Sequence, residues 1–300
     1  MLKKVLIAVL LLVIALVVGS VLFLDSIAKA GIGAAGSHVL GVPTQAGAVS
    51  VGLLSGHTTV ERLEVDNPQG YAPVKFLSLG VIKVDAPFSK LTGERIEIDR
   101  IALSDLVLDL EKGPDGKLNV ERIVDNLKKA TGADETDKPS KPAAGESKEA
   151  VVKELRLERV VVNLRNIAGG KDGVVRVELP DLVLRDLSSK GGVDVLASEV
   201  SGVVIGTVMK SVIAANIEGL GAEVLGGMQG AVEGLGGVIG EGLRGAVDVG
   251  VKGAEEALKG IGKGLSDIGK GAEEALKGVG EGIEKGVGEA LDGIFGGKKK

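Results

Sequence analysis

The chain has 300 residues and a formal net charge of −5, with 48 glycines, 2% aromatics, no cysteine and two histidines. The lack of Cys excludes a disulfide framework, a thiolate nucleophile and a Cys-based zinc site; two histidines exclude a His-rich metal centre. Few aromatics and no cationic excess argue against nucleic-acid partners, which need stacking platforms or a basic surface.

Lys3 and Lys4 precede an uncharged run from Val5 to Leu24. Its 20 residues span a hydrocarbon core of about 30 Å at about 1.5 Å per residue. A cleaved signal peptide has a shorter apolar stretch, although Ala28-Lys29-Ala30 offers a small-residue cleavage site. The run is therefore expected to be an uncleaved anchor. Lys3, Lys4 and the amino terminus before it place the N-terminus inside and the remaining chain outside the cytoplasm. Gly31-Ile32-Gly33-Ala34-Ala35-Gly36 spells the dinucleotide string GxGxxG, but it follows an apolar span rather than a strand. It is expected to belong to a small-residue helix from Ser26 to Leu40.

From Val42 to Asp109 the hydrophobic period falls to two, the mark of half-buried strands. Val49-Ser-Val51-Gly-Leu53 alternates, as does Val60-Glu-Arg-Leu63-Glu-Val65 less cleanly. Asn67-Pro68-Gln69-Gly70 is a turn cluster, and Pro87 to Thr92 a short helical turn. In Gly113-Pro114-Asp115-Gly116, Pro presets φ and Gly accepts a positive φ. Asn119 then fits a helix N-cap, with Val120, Ile123, Val124 and Leu127 along one face.

An internal repeat runs through this region. Ile96-Glu-Ile98-Asp99-Arg100-Ile101-Ala-Leu103 aligns with Leu155-Arg-Leu157-Glu158-Arg159-Val160-Val-Val162, and more weakly with Val177-Glu-Leu179-Pro180-Asp181-Leu182-Val-Leu184. Each copy has two alternating apolar residues, a polar pair, then two more in the opposite phase. Such a shift calls for a bulge or bend, and a bend repeated at one place curves a sheet. The apolar concave face so made is expected to contact lipid through Ile96, Ile98, Ile101, Leu103, Leu155, Leu157, Val160 and Val162, one phase of which lines the groove. The plainer alternative is a bent sheet packed on helices.

These features together resemble the N-terminal region of the AsmA family of bacterial envelope proteins. The resemblance covers residues 1–130: the Lys-flanked anchor, Asp25-Ser26, Leu40-Gly41-Val42-Pro43, Leu53-Leu54-Ser55-Gly56, Val65-Asp66-Asn67-Pro68-Gln69-Gly70-Tyr71, Arg95-Ile96-Glu97-Ile98 and Asp115-Gly116-Lys117-Leu118-Asn119. It implies a single-pass protein of the bacterial inner membrane with its bulk in the periplasm. It also implies kinship with bridge-like lipid transfer proteins, whose curved, taco-like sheets hold acyl chains, and a link to outer-membrane assembly and phospholipid homeostasis. Larger members carry many more repeats than the seven to nine strands expected here.

Thr131 to Ala150 holds Gly, Pro, Ser, Thr and eight charges without hydrophobic periodicity, so a disordered linker is expected over residues 131–150. Residues 151–190 return to the strand pattern and are expected to rejoin the same sheet, making the linker an insertion.

From Gly219 to Gly297 glycine is one residue in three, yet an apolar stripe persists. It runs from Ile213 through Val224, Met228, Leu235, Ile239, Leu243 and Val247 to Ile294 in steps of three or four, averaging about 3.7. That is near 11/3, an 11-residue helical repeat. Its distal part, Leu258, Ile261, Leu265, Ile268, Leu276, Val279, Ile283 and Val287, is expected to grip a membrane surface or the sheet groove. Interior glycines cost about 1 kcal/mol each relative to alanine, so such a helix needs an apolar partner. An amphipathic Gly-rich helical region is expected over residues 191–300.

No P-loop, GxSxG, HExxH or EF-hand string occurs. His38 and His57 have no partner motif, and Glu255-Glu256 diverge on a helix. The expectation is therefore an α+β protein that is not an enzyme and needs no cofactor. It has an N-terminal transmembrane helix, residues 1–24, a curved antiparallel β-sheet built from a β-rich module over 25–130 with further strands after the linker, and a helical C-terminal region. The partners expected are phospholipid or another acyl lipid, a membrane and other envelope proteins. Its work would be lipid handling or envelope assembly, or alternatively that of a structural tether.

Overall fold

A first helix, α1, occupies residues 23–40 and is fastened to the sheet at several points. Asp25 Oδ1 accepts the Val51 N–H at 2.8 Å, and Ser37 Oγ accepts the Thr44 N–H at 2.9 Å. A Cβ on Gly36 would lie 2.6 Å from Thr44 Cγ2. The last glycine of the GxGxxG string thus serves close packing of helix on strand.

The structure, a computed structural model, describes residues 23–52, 55–133, 148–167, 173–189, 192–217 and 220–239, with single positions as far as Lys252. All belong to the unit that ends at Glu255. Lys3, Lys4 and the apolar run up to residue 22, most of the linker (134–147) and the distal stripe from Leu258 to Val287 lie outside the described residues.

Among the described residues, ten strand segments form one sheet: β1 (Thr44–Ala46), β2 (Val49–Gly52), β3 (His57–Asp66), β4 (Lys75–Asp85), β5 (Ile96–Ile98), β6 (Arg100–Glu111), β7 (Ala150–Glu158), β8 (Val160–Arg165), β9 (Val174–Leu179) and β10 (Leu182–Ser189). They are six long strands, four of them interrupted: β1–β2, β5–β6, β7–β8 and β9–β10 each continue one line. The six lie side by side in chain order, and the sheet does not close on itself. A helix, α2 (Phe88–Leu91), sits in the β4–β5 connection.

The sheet departs from the expected all-antiparallel arrangement at its middle. β5–β6 and β7–β8 run parallel, each residue pairing with the one 54 positions later, from Ile96↔Ala150 to Glu111↔Arg165. Parallel neighbours need a crossover. It includes α3 (Asn119–Thr131), which buries Val120, Ile123, Val124 and Leu127 and ends at Gly132 with φ +71°. Asn119 is not its N-cap. Leu118 holds that position, and Glu121 accepts the Leu118 N–H at 2.6 Å.

The phase shifts follow a rule that the repeat shows only in part. Along β7–β8 the residues at 0–1% exposure on one side are Ala150, Val152, Leu155, Leu157, Val160, Val162 and Leu164. The inward pair recurs every five residues, with a polar pair skipped between. The skipped pairs line up across the sheet. One row crosses Gly47-Ala48, Glu61-Arg62, Gly80-Val81, Ser104-Asp105, Glu158-Arg159 and Pro180-Asp181. A second crosses Asp99-Arg100, Lys153-Glu154 and Arg185-Asp186. Arg62, Asp105, Arg159 and Asp186 have φ of +53° to +58°.

At these four pairs a left-handed residue reverses the alternation, so inner stays inner on both sides of the row; the other pairs named have no positive φ. Because neighbouring strands break at one level, no strand gains a residue on its partner; the single register shift in β3–β4 lies elsewhere, at Val65/Asp66. The expected one-phase groove is thereby corrected. Both phases of the repeat face the same side. The aligned repeat also slips: its offset of 59 residues is one five-residue step from the true 54.

That inner side is covered by the chain's own helices. Besides α3, these are α4 (Gly192–Ala214) and α5 (Ala222–Gly234), with a 3₁₀ turn at Leu235–Gly237. The expectation of one amphipathic helical region over 191–300 fails at α4. Residues 202–209 are buried without interruption, so this stretch of the helix is enclosed on every side. Over Val195–Ala214 it is long and apolar enough to cross a membrane, but 72% of it is buried in the protein. Gly202 lets it approach closely, since a Cβ there would lie 3.0 Å from Ile239 Cγ1. The helix is interrupted near Asn216, at φ +46°, before α5. Beyond the break the three-four stripe holds: Val224, Met228, Ala231, Leu235, Ile239, Leu243 and Val247 are buried.

Candidate functional site: an apolar cavity between helix and sheet

Each predicted lipid-contacting residue has a definite place. Leu155, Leu157, Val160 and Val162 are 0–1% exposed and belong to the closed core. Ile96 and Ile98 are half-buried and pack against that core. Ile101 and Leu103 alone among the eight line a cavity. The groove is therefore not an open trough along its length; α3, α4 and α5 fill most of it.

The remaining cavity, about 250 Å³, lies where β3, β4 and β6 face the first half of α4. The sheet lines it with Leu63, Val65, Phe76, Leu77, Leu79, Ile82, Val84, Ile101 and Leu103, and α4 with Val200, Ser201, Val204 and Ile205. Leu40, at the end of α1, completes it. The one polar side chain is Ser201, whose hydroxyl donates to the Ala197 carbonyl at 2.8 Å. Such a lining offers no hydrogen-bond donor aimed at a ligand and suits a hydrocarbon. The volume falls just below the roughly 300–1,000 Å³ of pockets for drug-sized molecules, and it exceeds the roughly 150 Å³ apolar cavity that admits benzene.

The β3 and β4 contributors were not singled out from the sequence. They carry the same signal as the repeat, because Leu77, Leu79, Ile82 and Val84 follow the five-residue rule. The α4 contributors lay inside an apolar run that the stripe, beginning at Ile213, did not include.

A larger depression, about 500 Å³, lies between α1 and β1 and is lined by small and polar residues including Ser26, Lys29, Ser37, Thr44 and Gln45. Among the described residues, no titratable cluster converges there. The apolar cavity is the more specific feature.

A buried polar junction braces the far end of the sheet. Asn119, fully buried, accepts the Glu111 N–H at 3.1 Å and donates to the Asp109 carbonyl at 2.7 Å and to Asn67 Oδ1 at 2.9 Å. Glu111 Oε2 in turn accepts the Ala72 N–H at 2.9 Å and Asn67 Nδ2 at 3.2 Å. The Tyr71 hydroxyl donates to the Lys117 carbonyl at 3.3 Å, and burial pushes that phenol above its usual range. Two turn motifs, Asn67 to Tyr71 and Asp115 to Asn119, are thus joined.

No family model matches this chain, and no curated protein matches it.

Proposed function

We propose that the protein is a non-enzymatic, membrane-anchored envelope protein that handles lipid by seating an acyl chain between α4 and the sheet. The observation that carries this reading is the apolar cavity of about 250 Å³. A hydrocarbon gains roughly 0.8 kcal/mol per buried CH₂ in such a site. Phe23 (67% exposed), at the end of the apolar run, and Ile27 (66%), just after it, lie on α1, which suits a helix leaving a bilayer. Asp25, bonded to β2, then ties that exit to the sheet. With the AsmA resemblance, this supports a place in the bacterial inner membrane, N-terminus cytoplasmic and bulk periplasmic.

The test uses full-length protein purified in a detergent without an acyl chain. Mass spectrometry is expected to find co-purifying phospholipid, and a fluorescent fatty acid is expected to bind. Ile82→Trp, which fills the cavity, is expected to abolish uptake while the protein stays folded. Lipid-free protein with no uptake overturns the reading.

The tether alternative is favoured by a separate observation, the coverage of the inner face by α3, α4 and α5. A protein that binds no lipid yet still links membrane to a partner would fit it.

A further inference from the structure

On the outer face of the sheet, one cluster of charges does not balance. Glu154 on β7 lies between Arg100 on β6 and Arg185 on β10. Its Oε1 accepts a hydrogen bond from Arg156 Nη2 at 3.0 Å and lies 3.2 Å from Arg100 Nε, and its Oε2 lies 3.3 Å from Arg185 Nη1. Burial works against the ionised form of Glu154, but the three guanidiniums outweigh it and hold the carboxyl below its usual range.

Two other clusters on this face are balanced. Lys90 and Lys153 face Asp99 and Glu97, while Arg159 faces Asp105 and Glu158. At Glu154 three cations surround one anion. Glu154 is only 13% exposed, whereas Arg100, Arg156 and Arg185 are 54%, 39% and 67% exposed. Each guanidinium has five N–H donors, so most point elsewhere than the carboxylate.

The neighbouring positions leave the cluster open. Arg156 is flanked in register by Ala102 and Val183, which add neither an acid nor bulk. The nearest acids are engaged: Glu158 accepts from Ser104 Oγ at 3.0 Å, and Asp85, opposite Arg100, contacts His57 Nδ1 at 2.7 Å. Asp186 stands beside Arg185 on the chain, at its left-handed turn.

We propose that Arg100, Arg156 and Arg185 form a binding site for a phosphate group, with Glu154 as the internal counter-ion that gathers them. A guanidinium fork matches phosphate oxygens bidentately, and three forks on adjacent strands surround one tetrahedral anion. Strands lie about 4.8 Å apart, so the outer two arginines start about two spacings apart and their long side chains converge over Glu154. The phosphate belongs to a lipid headgroup or a small soluble phosphoester. The site is on the face opposite the cavity and does not depend on the acyl-chain reading.

The test is calorimetric titration of inorganic phosphate into the full-length protein at low ionic strength, where exposed charges are least screened. Saturable binding is expected, weakened about tenfold in Arg185→Gln and in Arg156→Ala and strengthened in Glu154→Gln, which removes the competing anion. Arg185 is two-thirds exposed, so its variant is expected to melt as the parent does. Flotation with phosphatidic acid vesicles, against phosphatidylcholine vesicles, separates the sources. Vesicle binding lost in Arg185→Gln and competed by free phosphate assigns a headgroup; phosphate binding without vesicle binding assigns a soluble ligand. No phosphate binding, or binding indifferent to all three substitutions, overturns the proposal.

Discussion

A Cβ on Gly80 would lie 2.9 Å from the Cβ of Asp105, its partner across β4 and β6. Asp105 is held there by a left-handed backbone (φ +58°), and Arg159 grips its carboxylate through Nε at 2.6 Å and Nη2 at 3.0 Å. The row of polar pairs therefore needs a residue without a side chain next to one whose Cβ cannot retreat. Gly80→Ala is expected to destabilise the protein by about 1–3 kcal/mol, the usual range for overpacking. Adding Asp105→Gly is expected to recover part of the loss in urea unfolding. Additive losses would count against the contact.

The left-handed residues of the rows differ in how much the backbone costs them. Aspartate tolerates φ near +55°, glycine adopts it freely, and a β-branched residue resists it. Asp186 has φ +54° and is exposed. Asp186→Gly is expected to be neutral or slightly stabilising, and Asp186→Val to cost about 1–2 kcal/mol. Equal midpoints for the two variants in denaturant unfolding would refute the role of the turn.

Cutting the Asn119 side chain removes the partner of four groups, the Glu111 and Val120 N–H, the Asp109 carbonyl and Asn67 Oδ1. Asn119→Ala is expected to cost about 3 kcal/mol, since each buried orphan costs about 1–3 kcal/mol and some recover water. The measurement is the urea midpoint at constant m-value. A loss below about 1 kcal/mol would show the junction to be wet.

Burial around the cavity is uneven, and truncation should report it. Leu157→Ala, in the closed core at 0% exposure, is expected to cost about 3–5 kcal/mol. Ile101→Ala, at the cavity wall, is expected to cost about 1–2 kcal/mol, because the site is already incompletely filled. Losses in the reverse order would place the void elsewhere.

Acid and alkali act on opposite partners of one ion cluster. Hydrogen bonds from Lys90 and Lys153 hold the Asp99 carboxyl below the usual aspartate range. A carboxyl lowered on folding stabilises above its unfolded pKa, and this is lost as pH falls through the folded value. Lys153, held chiefly by Asp99 and then Glu97, is pushed up to about 12. Its contribution is complete below the ordinary lysine value of 10.5 and is lost as pH rises past about 12. The pairs are exposed and the effect is modest. The gap in Tm between the parent and Asp99→Asn is expected to be widest near neutrality and to close below the ordinary aspartate value of 3.8. A gap independent of pH would contradict the assignment.

Much of the sheet is legible in the sequence, because in most strands a polar pair after an alternating apolar pair marks where the strand reverses face. The pairing is harder to read, since a pattern of period five looks the same after a slip of five. Charge decides it. At an offset of 54, Asp99 meets Lys153, Asp105 meets Arg159 and Glu111 meets Arg165; at 59, Asp99 would meet Glu158 and Arg100 would meet Arg159. The parallel crossing is invisible to periodicity, which is the same for both strand directions. The cover was missed for a related reason. A helix buried on all sides has no stripe, and α4 carries none. The arginine cluster was hidden because its members lie on three strands that only the register brings together.

The aligned rows also set how this sheet tolerates insertion and deletion. Removing one residue from β7–β8 would turn every following side chain to the wrong face, as in an ordinary strand. Removing the five residues from Leu155 to Arg159 would instead bring Val160 and Val162 into the inward places of Leu155 and Leu157. Strands built on this plan can lengthen or shorten by whole five-residue units without turning their apolar side to water.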